Sequence, residues 1–237
     1  MIESIVIDGR FNGPPNSGNG GYVCGLLARA VKGSAEVTLR SPPPLSRPLA
    51  VERTPDAQVL LKDGVDIIAE ARPRQLELKV PQPPDFTTAS ASAAGYIGFQ
   101  EHYFPNCFVC GPARDKNDGL RIFAGPLPGR QMVAAPWVPG DSLADESGLV
   151  LPEFLWSALD CPGYFAVFGA ELSMALLGRM TAEIIHRVLP GSQNIVLGWE
   201  IGREGRKRFA GTAVFNPSGT LCAKAKTIWI ELPSSNI

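Results

Sequence analysis

Histidine is scarce: only His102 and His186 occur in 237 residues. No G-x-S-x-G elbow accompanies them, so a serine–histidine–acid triad has no natural home. An excess of either charge is also missing, with 22 basic against 23 acidic residues. That balance argues against nucleic acid, whose phosphates usually call for a clearly basic footprint. No apolar run approaches the roughly 18 residues of a membrane-crossing helix. The nearest, 154–170, is interrupted by Asp160, Pro162 and glycines. The N-terminus lacks the basic-then-apolar pattern of a signal peptide. The expectation is a cytoplasmic, soluble protein without membrane insertion. Five cysteines, at 24, 107, 110, 161 and 222, are odd in number and scattered. Reduced thiols are expected rather than a disulfide framework.

Glycine (25) and proline (22) are plentiful, pointing to many turns and short strands. The segment 217–232 is a polar turn followed by an alternating strand, and 63–78 repeats the design. A shift of 154 positions lays Ala69 on Ala223, Ala71 on Ala225 and Glu77 on Glu231. Each half also holds one helical candidate. In 19–31, Asn19 is a plausible N-cap, and Val23, Leu26, Leu27 and Ala30 share a face. In 151–168, Pro152 suits a first turn, where its missing N–H costs nothing. Residues 80–99, rich in Pro, Ser, Ala and Thr, read as a linker. The pattern is α+β, stated twice; two unrelated α+β domains are the alternative.

These segments resemble a known family. The stretch G-G-Y-V-C-G-L-L-A-R-A-V is similar to the helix of TesB-like acyl-CoA thioesterases, and I-I-H-R-V-L-P with G-T-A-V-F-N-P-S-G-T-L-C-A-K-A to their C-terminal pattern. The opening C-F-V-C-G followed by G-L-R resembles the start of many hotdog thioesterases. The resemblance implies a double hotdog, each antiparallel sheet wrapped around one central helix. It divides the chain into an N-terminal hotdog (1–80), a linker (81–103) and a C-terminal hotdog (104–237). It also implies an acyl-CoA or related acyl thioester as substrate, no cofactor, and a possible homodimer. A non-catalytic acyl-CoA-binding protein of the same fold is the alternative; a hydratase-like hotdog lacks its D-x-N-x-x-H signature here.

Asp160 falls at the family's helix carboxylate, and it is the only carboxylate within 154–170. Burial among apolar groups raises such a pKa, as suits a base or nucleophile. Ending the helix before Pro162 is its other possible role. The equivalent register in the first half lands on Ala28. Asn19, Gly20 and Gly21 open that helix, where free amides suit an oxyanion; close packing is the alternative use of the glycines. Thr227 occupies the family's glutamine position, and Thr181 lies near Gly178 at its threonine position. Arg203, Arg206, Lys207 and Arg208 gather on one hairpin and could meet coenzyme A phosphates or simply be solvated. A zinc site would need His102 and a third cysteine to converge on Cys107 and Cys110. The expectation is no metal, with the two thiols packing a tight loop and His186 structural.

Overall fold

The computed structural model describes residues 4–169 and 171–233. Eleven strands form one antiparallel sheet: β1 (Ser4–Val6), β2 (Ala35–Leu39), β3 (Pro48–Arg53), β4 (Val59–Asp63), β5 (Asp66–Pro73), β6 (Gly125–Pro126), β7 (Met132–Trp137), β8 (Ala175–Ile184), β9 (Asn194–Glu204), β10 (Lys207–Phe215) and β11 (Leu221–Glu231). Their order across the sheet is β1-β3-β4-β5-β2-β8-β11-β10-β9-β7-β6. β2 and β8 meet at the centre, flanked by β5 and β11, then β4 and β10, then β3 and β9. The shift of 154 therefore maps β5 onto β11 and β4 onto β10. The seam is held by ladder pairing, with Val37 opposite Met180 and Thr38 opposite Arg179, whose Nε donates to Thr38 Oγ1 at 3.0 Å.

Helix α1 (Gly20–Ala28) starts at Asn19, whose side chain accepts the Tyr22 N–H. The helix is shorter than the 19–31 expected from periodicity: Ala30 and Val31 already make turn bonds to Leu27 and Ala28. Nor is one face apolar and the other wet, since every residue from Gly21 to Ala28 is buried. The sheet covers one side of α1, and α3 (Pro152–Ala158) covers another. Gly21 and Gly25, one turn apart, make that approach possible. A Cβ on Gly25 would lie 2.6 Å from Glu153 Cα, and one on Gly21 would lie 2.6 Å from Asp160 Cβ.

The single helix expected over 151–168 is two: α3 ends at Ala158, and α4 (Cys161–Phe168) begins after a break at Leu159–Asp160. Pro162 accounts for the break. It has no N–H for the Ala158 carbonyl, and its ring would clash there. The next carbonyl, that of Leu159, accepts a hydrogen bond from Thr212 Oγ1 on β10 at 2.8 Å.

The stretch read as a linker contains a helix, α2 (Phe86–Ala93), capped by Asp85. Ala89 of α2 joins Leu127, Ala134, Ile195, Leu197, Ala213 and Phe215 in a second apolar cluster. With that cluster on one face and α4 on the other, residues 194–199 of β9 are buried throughout, without alternation. Gly198 lies beneath Pro162, where a Cβ would come within 2.3 Å of the proline carbonyl oxygen.

Gly25→Ala is expected to lower unfolding stability by about 1–3 kcal/mol through overpacking against α3. The measurement is a lower urea midpoint at unchanged m-value. Thr212→Val strands the buried Leu159 carbonyl and should cost a similar ~1–3 kcal/mol, read in the same titration.

Candidate active site

Asp160 occupies the break between α3 and α4, with φ −78° and ψ −82°. Its side chain crosses to α1. The Oδ2 atom accepts the Gly21 N–H at 2.9 Å and the Asn19 Nδ2–H at 2.9 Å. Asn19 thus serves twice, because its Oδ1 accepts the Tyr22 N–H at 2.9 Å to cap α1. The Oδ1 of Asp160 has no hydrogen-bond partner among the described residues. Burial pushes the Asp160 carboxyl up to about 7; the Gly21 and Asn19 hydrogen bonds pull it down, while negative charge on the Cys107 sulfur would add to the rise.

A cavity of about 410 Å³ opens beside this carboxyl. Asn19, Gly20 and Asp160 contribute to its polar wall, as do His102 and the thiols of Cys107, Cys110 and Cys161, while Phe165, Leu177 and Trp229 belong to a largely apolar remainder. An apolar chamber with a few convergent polar groups is the usual build of a small-molecule site.

The structure brings together Asp160, Asn19, Gly20 and Gly21. Gly21, however, is not a free oxyanion donor, because its amide is committed to Asp160. Among the described residues the Gly20 amide makes no such bond, and Gly20 lines the cavity. Thr181 lies elsewhere: its hydroxyl donates to Glu36 Oε2 at 3.4 Å in a second, more polar cavity with Arg74, Arg179 and Lys226. Thr227 is buried beneath α4, where its Oγ1 accepts from Trp229 Nε1 at 3.2 Å and packs under Gly163. It does not line the cavity, although Trp229 does.

The basic hairpin is the β9–β10 turn. Arg208 is neutralised there by both oxygens of Glu231, at 2.9 and 2.8 Å, and Arg206 donates to the Glu231 carbonyl at 3.2 Å. Lys207 pairs with Ile230, itself a cavity residue. His186 is exposed just beyond β8, and its amide bonds the Cys222 carbonyl. Cys161 does converge on the C-x-x-C pair, a juxtaposition that linear spacing could not show, and His102 adjoins the group through Cys110. Thr212 also escaped sequence reading; a lone threonine on a strand carries no signal that it will meet a helix carbonyl.

No family model matches the chain, and no curated protein matches it in sequence. Solved structures match it in shape. The tesB protein of Mycobacterium avium subsp. paratuberculosis has a TM-score of 0.60 at 14% identity, covering 93% of this chain and 90% of its own. A candidate thioesterase II from Thermobifida fusca has 0.62 at 14%, covering 97% and 92%. A protein of unknown function with hot dog fold from Alicyclobacillus acidocaldarius has 0.57 at 11%, covering 97% and 92%. One antiparallel sheet wrapped on buried helices, matched over nearly the whole length, gives this chain the hotdog fold.

Proposed function

We propose that the chain is two tandem hotdog units and that it hydrolyses an acyl-CoA or related acyl thioester. The first unit lies within 1–80 and the second within 104–237, with α2 in the connection. The strand order, which reads alike outward from the β2–β8 seam, supports the doubling. The observation that carries the activity is the Asp160 carboxyl. One oxygen is clamped by Asn19 and Gly21 of the other unit's helix, and the other is free beside an apolar cavity.

In this reading the acyl chain fills the cavity and the thioester carbonyl lies near the Gly20 amide, which stabilises the developing oxyanion. Oδ1 takes a proton from the attacking water and hands it to the leaving sulfur, or itself attacks the carbonyl to give a mixed anhydride that water then hydrolyses. The sulfur leaves as coenzyme A thiol, and the carboxylic acid remains. Asn19 and Gly21 hold the carboxylate in one orientation. Arg203, Arg206 and Lys207 at the hairpin would meet the coenzyme's phosphates, Arg208 being already paired with Glu231. The deep burial of Asp160, only 2% exposed, favours the second reading of an acyl-CoA-binding protein without turnover.

Thiol release from acyl-CoA substrates should fall by about 10²-fold or more in Asp160→Asn, the usual share of a general base. Equal release by the folded variant would remove Asp160 from the chemistry. Thermal stabilisation by acyl-CoA with no release in the wild type would favour the binding reading. Replacing Arg203, Arg206 and Lys207 together by alanine should weaken inhibition by free coenzyme A about tenfold, roughly 1.4 kcal/mol. Unchanged inhibition would place the phosphates elsewhere.

A further inference from the structure

Three of the five thiols gather at one point. The Sγ atoms of Cys107, Cys110 and Cys161 all lie within 4.8 Å of one another, and all three side chains are buried. Cys107 and Cys161 are 3.8 Å apart, and His102 Nε2 is 3.4 Å from Cys110 Sγ. A tetrahedral zinc ion with Zn–S near 2.3 Å and Zn–N near 2.0–2.1 Å sets its ligands about 3.8 Å apart for sulfur pairs and about 3.6 Å for sulfur and nitrogen. Those two separations fit two edges of such a tetrahedron; the group lying mutually within 4.8 Å is the three sulfurs, and His102 adjoins it through Cys110. Packing of small apolar residues does not by itself gather three thiols with an imidazole nitrogen beside them.

The loop that carries the pair is shaped for the same purpose. In Cys107-Phe108-Val109-Cys110-Gly111, the Gly111 amide closes the turn on the Cys107 carbonyl at 2.9 Å. A Cβ at Gly111 would fall 2.5 Å from the Pro105 oxygen and 2.6 Å from Cys107 N and O, so the turn requires glycine. The Cys107 sulfur also faces the start of α1. The Asn19 Nδ2–H lies 3.8 Å from the same sulfur, an outer hydrogen-bond donor of the kind that steadies metal thiolates. Cys161, the first residue of α4, comes from 54 positions away and closes the group.

We propose that Cys107, Cys110, Cys161 and His102 bind one zinc ion in a closed tetrahedral site that pins the 104–111 loop to the start of α4. Zinc enters as the three thiols release their protons to solvent, and three thiolates with a neutral imidazole leave the site one unit negative. His102 Nδ1 accepts the Phe104 amide at 2.9 Å, which leaves the ring proton on Nε2. Ligation through Nε2 moves that proton to Nδ1 and opens the Phe104 contact. With four protein ligands no position stays open, so the ion is structural and acts on Asp160 only as the anchor of its neighbour Cys161. The site does not depend on the hydrolase reading.

The test is metal content of the full-length protein purified under reducing conditions, by mass spectrometry. One zinc per chain is expected. Cys110→Ser and His102→Ala should each lower zinc affinity about tenfold or more. Cys222→Ser, on β11 outside the cluster, should keep the ion. Because a ligand variant can fail to fold, cobalt is also titrated into metal-stripped wild type. The expected result is one equivalent, with sulfur-to-cobalt charge-transfer and strong tetrahedral ligand-field bands. A folded wild type that holds no zinc and shows no such spectrum overturns the site. Full zinc retention in Cys110→Ser does the same, and full retention in His102→Ala overturns the fourth ligand.

Discussion

The centre of this molecule depends on one buried carboxyl. Asp160 has left its own helix axis to take two hydrogen bonds from the start of another helix. A carboxylate without such partners would be costly in this setting, and one oxygen still lacks any among the described residues. The surroundings follow from that contact. Gly21 has no side chain because Asp160 occupies its place, and Gly25 repeats the omission one turn later against Glu153. The break at Leu159–Asp160 frees the carboxyl to turn, and Thr212 compensates the carbonyl left behind.

The contact also couples parts of the chain that are distant in sequence. α1 belongs with the strands before residue 80, and α3 and α4 with those after 120. The β2–β8 seam joins the sheets edge to edge, while the Asp160 clamp joins the helices above them. The loop at 104–122 reinforces the junction from the side. Phe108 sits edge-on to Phe11, its amide bonds the Asn12 carbonyl, and Arg10 pairs with Asp118 at 3.0 Å.

Much of this was legible beforehand, for local reasons. Asn19 announced a cap by type and position, and β5 and β11 showed themselves by alternation. Asp160 stood out as the one acid in an apolar run. What escaped was of two kinds. α2 has little apolar periodicity, because it rests only a narrow face, around Ala89 and Ser92, on the sheet. Its helix depends on the Asp85 cap and on tertiary contact rather than on pattern. The other misses are long-range. Nothing in the spacing says that the Gly21 amide is spent on a residue 139 positions away, or that Cys161 reaches Cys107 across 54. The helix break was visible in Pro162, but what it releases is a property of the assembled pair.

The sheet ends on both sides in fragments. Among the described residues β1 has three and β6 two, the second of them proline. So little edge presents few free amides and carbonyls, and proline removes one donor more. Eleven strands in one layer would otherwise be an open template for further growth. Among the described residues, these short outer strands leave the sheet little edge on which to grow.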